Sequence, residues 1–79
     1  MITAHKYLNL DLSVINVSAV IIDKLTQNDL LKYDELLGIV VSILGKNAKD
    51  VFPYALNFLY LLDKIQYLPL SDSFQLTKN

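Results

Sequence analysis

The 79-residue sequence has no cysteine, no arginine and no tryptophan, and only one histidine, two glycines and two prolines. Without cysteine there can be no disulfide, no thiol nucleophile and no cysteine-based zinc site. With His5 as the lone histidine, a metal site would need several carboxylates gathered around one terminal residue. A Ser-His-Asp arrangement would depend on that same residue. Gly38 and Gly45 alone cannot form a glycine-rich phosphate loop. The missing arginine removes the side chain that most often reads guanine in the major groove. A domain this small that lacks disulfides and metals is held together by tight packing or by a partner chain.

Charge of either sign is also scarce. Seven lysines face eight acids, for a net charge of -1, and no run of one sign occurs. That excludes a polybasic arm, an acidic tail and a basic membrane-surface helix. The longest charge-free run, Val51 to Leu62, is 12 residues, short of the roughly 20 needed to span a bilayer. The opening MITAHKYLNLDL lacks the basic stretch and apolar block of a signal peptide. The sequence reads as one cytoplasmic domain over residues 1–79, with no membrane association and no cofactor.

What the chain does have is apolar pattern. Leu8, Leu10 and Leu12 alternate with Tyr7, Asn9 and Asp11, a period of two that predicts a strand over Lys6–Leu12, with Ser13 as the N-cap of the next element. Val14–Leu25 is rich in β-branched residues, yet Ile15, Ala19, Ile22 and Leu25 fall on one helical stripe, with Val14, Val17 and Ile21 beside it. Its spacing and its length favour a helix. Gln27-Asn28-Asp29 interrupts, and Leu30–Tyr33 reads as a short extended piece. Asp34 and Glu35 place negative charge at the start of a second helix over Asp34–Leu44, closed by Gly45. Adjacent helical carboxylates do not face each other, so this pair marks a helix start rather than a catalytic dyad.

Lys46–Lys49 is a polar turn, Asp50 is placed to cap a third helix, and Pro53 falls in that helix's first turn. Ile65–Leu70 and Phe74–Thr77 form a hairpin across Ser71-Asp72-Ser73, with Pro69 marking an edge strand or its end. The order is a strand, three helices and a two-stranded wing: a mainly α winged helix-turn-helix.

The third helix, VFPYALNFLYLLDK, carries more apolar surface than one core face requires. Val51, Ala55, Phe58, Leu59 and Leu62 form its central stripe. Phe52 and Leu56 widen it on one side, Tyr54 and Leu61 on the other. Only Pro53, Asn57, Tyr60 and Lys64, with Asp63 at the edge, make a polar strip. The surplus points to a partner protein, with Phe52, Tyr54, Leu56 and Leu61 as anchors and Asn57, Tyr60 and Lys64 as a polar rim. Tyr67 joins Tyr54 and Tyr60 as an interface candidate, because tyrosine joins apolar burial to a polar rim. In helix-turn-helix proteins this helix enters the major groove. Here a net charge of -1 supplies little of the phosphate neutralisation that duplex binding draws on. DNA contact is expected to be weak or indirect, through a larger complex. No side-chain constellation suggests catalysis, so the chain reads as a non-enzyme.

The stretch YALNFLYLLDKIQYL, Tyr54 to Leu68, together with the opening KYLNLDLSVINVSAVIIDKL and the middle segment YDELLGIV, resembles the small middle components of bacterial ABC-three-component systems, the Lamassu-type anti-phage defence operons. The likeness spans nearly the whole chain and rests on apolar pattern. It departs after FLYLL, where Asp63 stands in place of an expected glycine. The resemblance implies an adaptor between an SMC-like ABC ATPase and an effector, often a nuclease, with ATP chemistry and cleavage belonging to those subunits. By likeness the third helix and the wing are docking surfaces. The competing readings are a small winged-helix DNA-binding regulator and an antitoxin-like partner.

Overall fold

The computed structural model describes residues 2–77, with side chains from Ser13 onward. Three helices, α1 (Ile2–Gln27), α2 (Tyr33–Leu44) and α3 (Ala48–Leu61), combine with three strands, β1 (Leu31–Lys32), β2 (Ile65–Leu68) and β3 (Ser73–Leu76). The antiparallel sheet has the order β1-β3-β2. β2 pairs with β3 in the register Ile65↔Leu76 to Leu68↔Ser73, and Leu31 of β1 sits opposite Phe74. This is a winged-helix arrangement, as the pattern predicts. Among the described residues no helix is long and apolar enough to cross a membrane.

The sequence reading is corrected at the N-terminus. The strand expected over Lys6–Leu12 is helical and Ser13 is no cap, because both lie inside α1. Leucines spaced by two also contain an i, i+4 pair, and no proline or glycine breaks the chain between Ile2 and Gln27. The third strand of the sheet is the short extended piece after Asp29, which pairs with β3.

One core joins all the elements. Its largest fully buried side chains are Val17 and Ile21 of α1, Leu36 and Val40 of α2, Phe52 of α3 and Ile65 of β2. The Tyr33 ring, at the start of α2, meets Phe52 edge-on with centroids 5.2 Å apart. It also lies 6.2 Å from Phe74, tying the helices to the sheet. On α1 the buried stripe is Val17, Ile21 and Leu25, whereas Ile15 and Ala19 are exposed. The stripe expected through Ile15, Ala19 and Ile22 therefore faces outward or lies at the core's edge. Two adjacent apolar stripes were available on this helix, and the one through Val17, Ile21 and Leu25 is buried.

Local chemistry sets the helix ends. The Glu35 carboxylate accepts from the Lys32 backbone N–H at 2.9 Å, closing the start of α2. Gly45, with φ of 99°, donates its N–H to the Val41 carbonyl and turns the chain into α3. That helix begins at Ala48, earlier than the expected Asp50 cap, so Lys46–Lys49 is only partly turn. Its first bonds run from Ala48, Lys49 and Asp50 back three residues, the tighter 3₁₀ pattern. Pro53 consequently sits inside the helix rather than in its first turn. β2 stops at Leu68, just before Pro69, and is an edge strand. The turn falls over residues 69–72 instead of 71–73.

α3 ends in a Schellman motif. The Lys64 N–H reaches the Leu59 carbonyl at 2.9 Å, and the Asp63 N–H reaches the Tyr60 carbonyl at 3.0 Å. Asp63 stands at φ of 59°, the left-handed conformation that glycine adopts without steric cost. This is the position where the family resemblance leads one to expect glycine. Asp63→Gly is therefore expected to stabilise the protein by about 1 kcal/mol, read as a rise in thermal midpoint. An unchanged or lower midpoint would show that the aspartate is not strained there.

Candidate protein-docking surface

The face of α3 that enters the core comprises Ala48, Phe52, Ala55, Leu56 and Leu59. It is rotated from the stripe expected from the sequence: Val51 is half-buried, while Phe58 and Leu62 are exposed. The rotation seats Phe52, the largest of the fully buried side chains, against Tyr33. Phe52 at 0% exposure and Leu56 at 8% belong to the chain's own core, so these two expected anchors have almost no surface to offer a partner.

The other face of α3 is unusually apolar for exposed surface. Tyr54 is 65% exposed, Tyr60 60% and Leu61 76%, with Phe58 and Leu62 also open. Asn57 is exposed among them, and Lys64 is exposed just past the end of the helix. Of the eight residues expected at an interface, six therefore lie on the surface: Tyr54, Asn57, Tyr60, Leu61, Lys64 and Tyr67. Tyr60 and Tyr67 come together on one side, where they line a depression of about 490 Å³ with Asp63, Gln66 and Leu68.

Tyr67 is fixed by the wing. Its ring lies 5.0 Å from Phe74, and its hydroxyl donates to the Asp72 carboxylate at 2.6 Å. Asp72 itself takes a positive φ of 49° in the turn. The phenol's pKa is raised, by that hydrogen bond first, then by burial and by the negative charge of Asp72. A proton held more tightly in the folded state stabilises the wing below the ordinary phenol pKa of about 10, and that contribution is lost as pH rises through the folded value. In an ultraviolet titration, the tyrosine that disappears in Tyr67→Phe should be one that ionises later than an ordinary phenol. A difference curve at or below pH 10 would contradict the bond.

A second surface was not anticipated. Ile15, Ser18, Ala19 and Ile22 of α1 line a mostly apolar groove of about 600 Å³ with Phe58 and Leu59 of α3. Ser18 Oγ is buried at its floor without a hydrogen-bond partner. Asp23 and Thr26 of α1 also line the groove. The apolar stripe of Ile15, Ala19 and Ile22 was visible in the sequence, but nothing there told an outward stripe from a core one.

The helix-turn-helix geometry places α3 where a recognition helix would lie, yet its exposed face offers tyrosine and leucine more than cations. Lys46, Lys49 and Lys64 are exposed around it, alongside Asp50 and Asp63. Among the described residues no group of acidic or histidine side chains is arranged to hold a metal ion.

Neither a search of curated proteins nor a search of solved structures found a match. A family model, ABC-three component (ABC-3C) system Middle Component 8, matches residues 29–77. That span covers more than half of the chain, from β1 through α2 and α3 to the end of the wing. The chain therefore belongs to the ABC-3C system Middle Component 8 family.

Proposed function

We propose that the protein is a non-enzymatic adaptor that joins an SMC-like ABC ATPase to an effector, a nuclease in the reading carried over from Lamassu-type systems, within an anti-phage defence complex. The observation that carries this reading is the exposed apolar face of α3, with Tyr54, Phe58, Leu61 and Leu62 open to solvent in a chain whose family is named as one component of three. Exposed apolar patches of this kind mark interaction sites. Tyr54 and Leu61 are the anchors in this reading, with Asn57, Tyr60, Lys64 and Tyr67 around them. The groove between α1 and α3 gives the ATPase and the effector a second place to dock. Co-expression of the tagged chain with the products of its neighbouring genes, followed by affinity purification, tests it: the adaptor must bring down both other components.

The winged helix-turn-helix architecture keeps a DNA-binding regulator as the rival. Phosphate contacts make duplex affinity fall steeply with salt, and α3 has few cations to supply them. Binding of the purified chain to duplex DNA is expected to be weak at physiological salt and shallow in its salt dependence. Tight binding with a steep salt slope in a fluorescence-anisotropy titration would support the regulator instead.

A further inference from the structure

With the order β1-β3-β2, the sheet has β1 at one edge and β2 at the other. β1 is two residues long and carries Lys32. β2 has four residues, Ile65–Leu68, and no charge among them. Shortness and charge are devices that keep an edge from pairing with another chain, so β2 is the less protected edge.

The register of the wing fixes which groups of β2 are free. The Thr77 N–H donates to the Lys64 carbonyl at 2.9 Å, and bonded and non-bonded residue pairs alternate along an antiparallel ladder. Gln66–Gln75 and Leu68–Ser73 are therefore the next bonded pairs. Ile65 and Tyr67, at the alternate positions, turn their N–H and C=O groups away from β3. No loop or side chain among the described residues takes up these groups. The depression lined by Tyr60, Asp63 and Tyr67 lies beside the same strand. Asp63 is exposed there and forms no ion pair with another described residue.

We propose that β2 receives an extended segment of another component of the complex, which adds a fourth strand to the sheet. Main-chain bonds to Ile65 and Tyr67 hold the segment, and its alternate side chains enter the depression. The occupant has no proline at the bonding positions, an apolar residue against Tyr60 and Tyr67, and a lysine or arginine at Asp63. A second copy of the chain does not meet this description. Antiparallel pairing of β2 with its copy about Gln66 sets Ile65 against Tyr67, Lys64 against Leu68 and Asp63 against Pro69. The copy would then cover the Asp63 carboxylate without offering it a cation. The inference rests on the adaptor reading and names how one partner is held.

Hydrogen exchange tests it, read residue by residue in the free full-length chain and in the complex co-purified with the products of the neighbouring genes. In the free chain the Gln66 and Leu68 amides, bonded to β3, should be protected and those of Ile65 and Tyr67 open. In the complex, exchange at Ile65 and Tyr67 should slow about ten-fold or more. Tyr67→Pro removes an outward N–H and spares the bonds to β3. It should bind about ten-fold more weakly than Tyr67→Ala, which also lacks the ring but keeps the donor. Asp63→Lys should weaken capture several-fold. If Tyr67→Pro melts lower than Tyr67→Ala, exchange in the wild-type complex decides the matter. Unchanged exchange in a complex that does form, or equal binding by two equally stable Tyr67 variants, overturns the inference and leaves the adaptor reading standing. Slowing in the free chain as its concentration rises assigns the edge to a second copy and overturns it as well. Failure to form any complex overturns the adaptor reading, and this inference with it.

Discussion

Phe52→Ala is expected to unfold most of the protein at 37 °C. Phe52 has no exposed surface and forms the edge-on contact with Tyr33 that joins α2 to α3. Removing a buried phenylalanine ring costs about 3–5 kcal/mol through lost transfer energy and the cavity left behind. A single core in a domain of under about 80 residues rarely supplies more than ~3–5 kcal/mol, so a chain of 79 residues has little more than that to lose. Circular dichroism melting of the purified variant measures the effect. A drop in midpoint of only a few degrees would mean that Phe52 is not at the centre of the core. The same experiment separates the two roles open to this residue, since a docking anchor on the surface could be removed without unfolding the chain.

Leu61→Asp is expected to have the opposite profile, with a normal melt and lost assembly. At 76% exposure the side chain contributes little to the fold. A carboxylate forced into an apolar contact without a partner is costly, and central apolar anchors commonly account for 2 kcal/mol or more of binding, on the order of a thirty-fold loss. Tyr54→Asp should behave in the same way. Lys64→Ala, at the polar rim, should retain most of the yield. Pull-down of the other components with each variant, after checking its melting curve, makes the comparison. Equal yields from all three would place the docking surface elsewhere.

The elements most legible in the sequence were those with chemical punctuation. Asp34-Glu35 and Gly45 bracket α2, and Pro69 closes β2, because each acts locally on the backbone. α1 was misread where punctuation is absent: between Ile2 and Gln27 the helix has neither glycine nor proline, and the leucine alternation near its start imitates a strand. The end of α3 was obscured for a related reason. Asp63 occupies a conformation usually left to glycine, so the residue type concealed the stop.

The docking surface was legible as a surplus and not as a map. Twelve charge-free residues over Val51–Leu62 showed that some apolar side chains must remain outside the core. Which ones depended on how the helix rotates to seat Phe52, and that is decided by packing against Tyr33 and α1. The rotation moved Phe52 and Leu56 inward and Phe58 and Leu62 outward. It also opened the α1–α3 groove, which no single segment of the sequence could reveal.

The most direct test of the adaptor reading is affinity purification of the tagged wild-type chain from its native host at moderate salt, with mass spectrometry of the co-eluting proteins. The account predicts a stoichiometric large ATPase together with a second, effector-sized protein. A chain that elutes without either, whether as a monomer or as a pair, would contradict it.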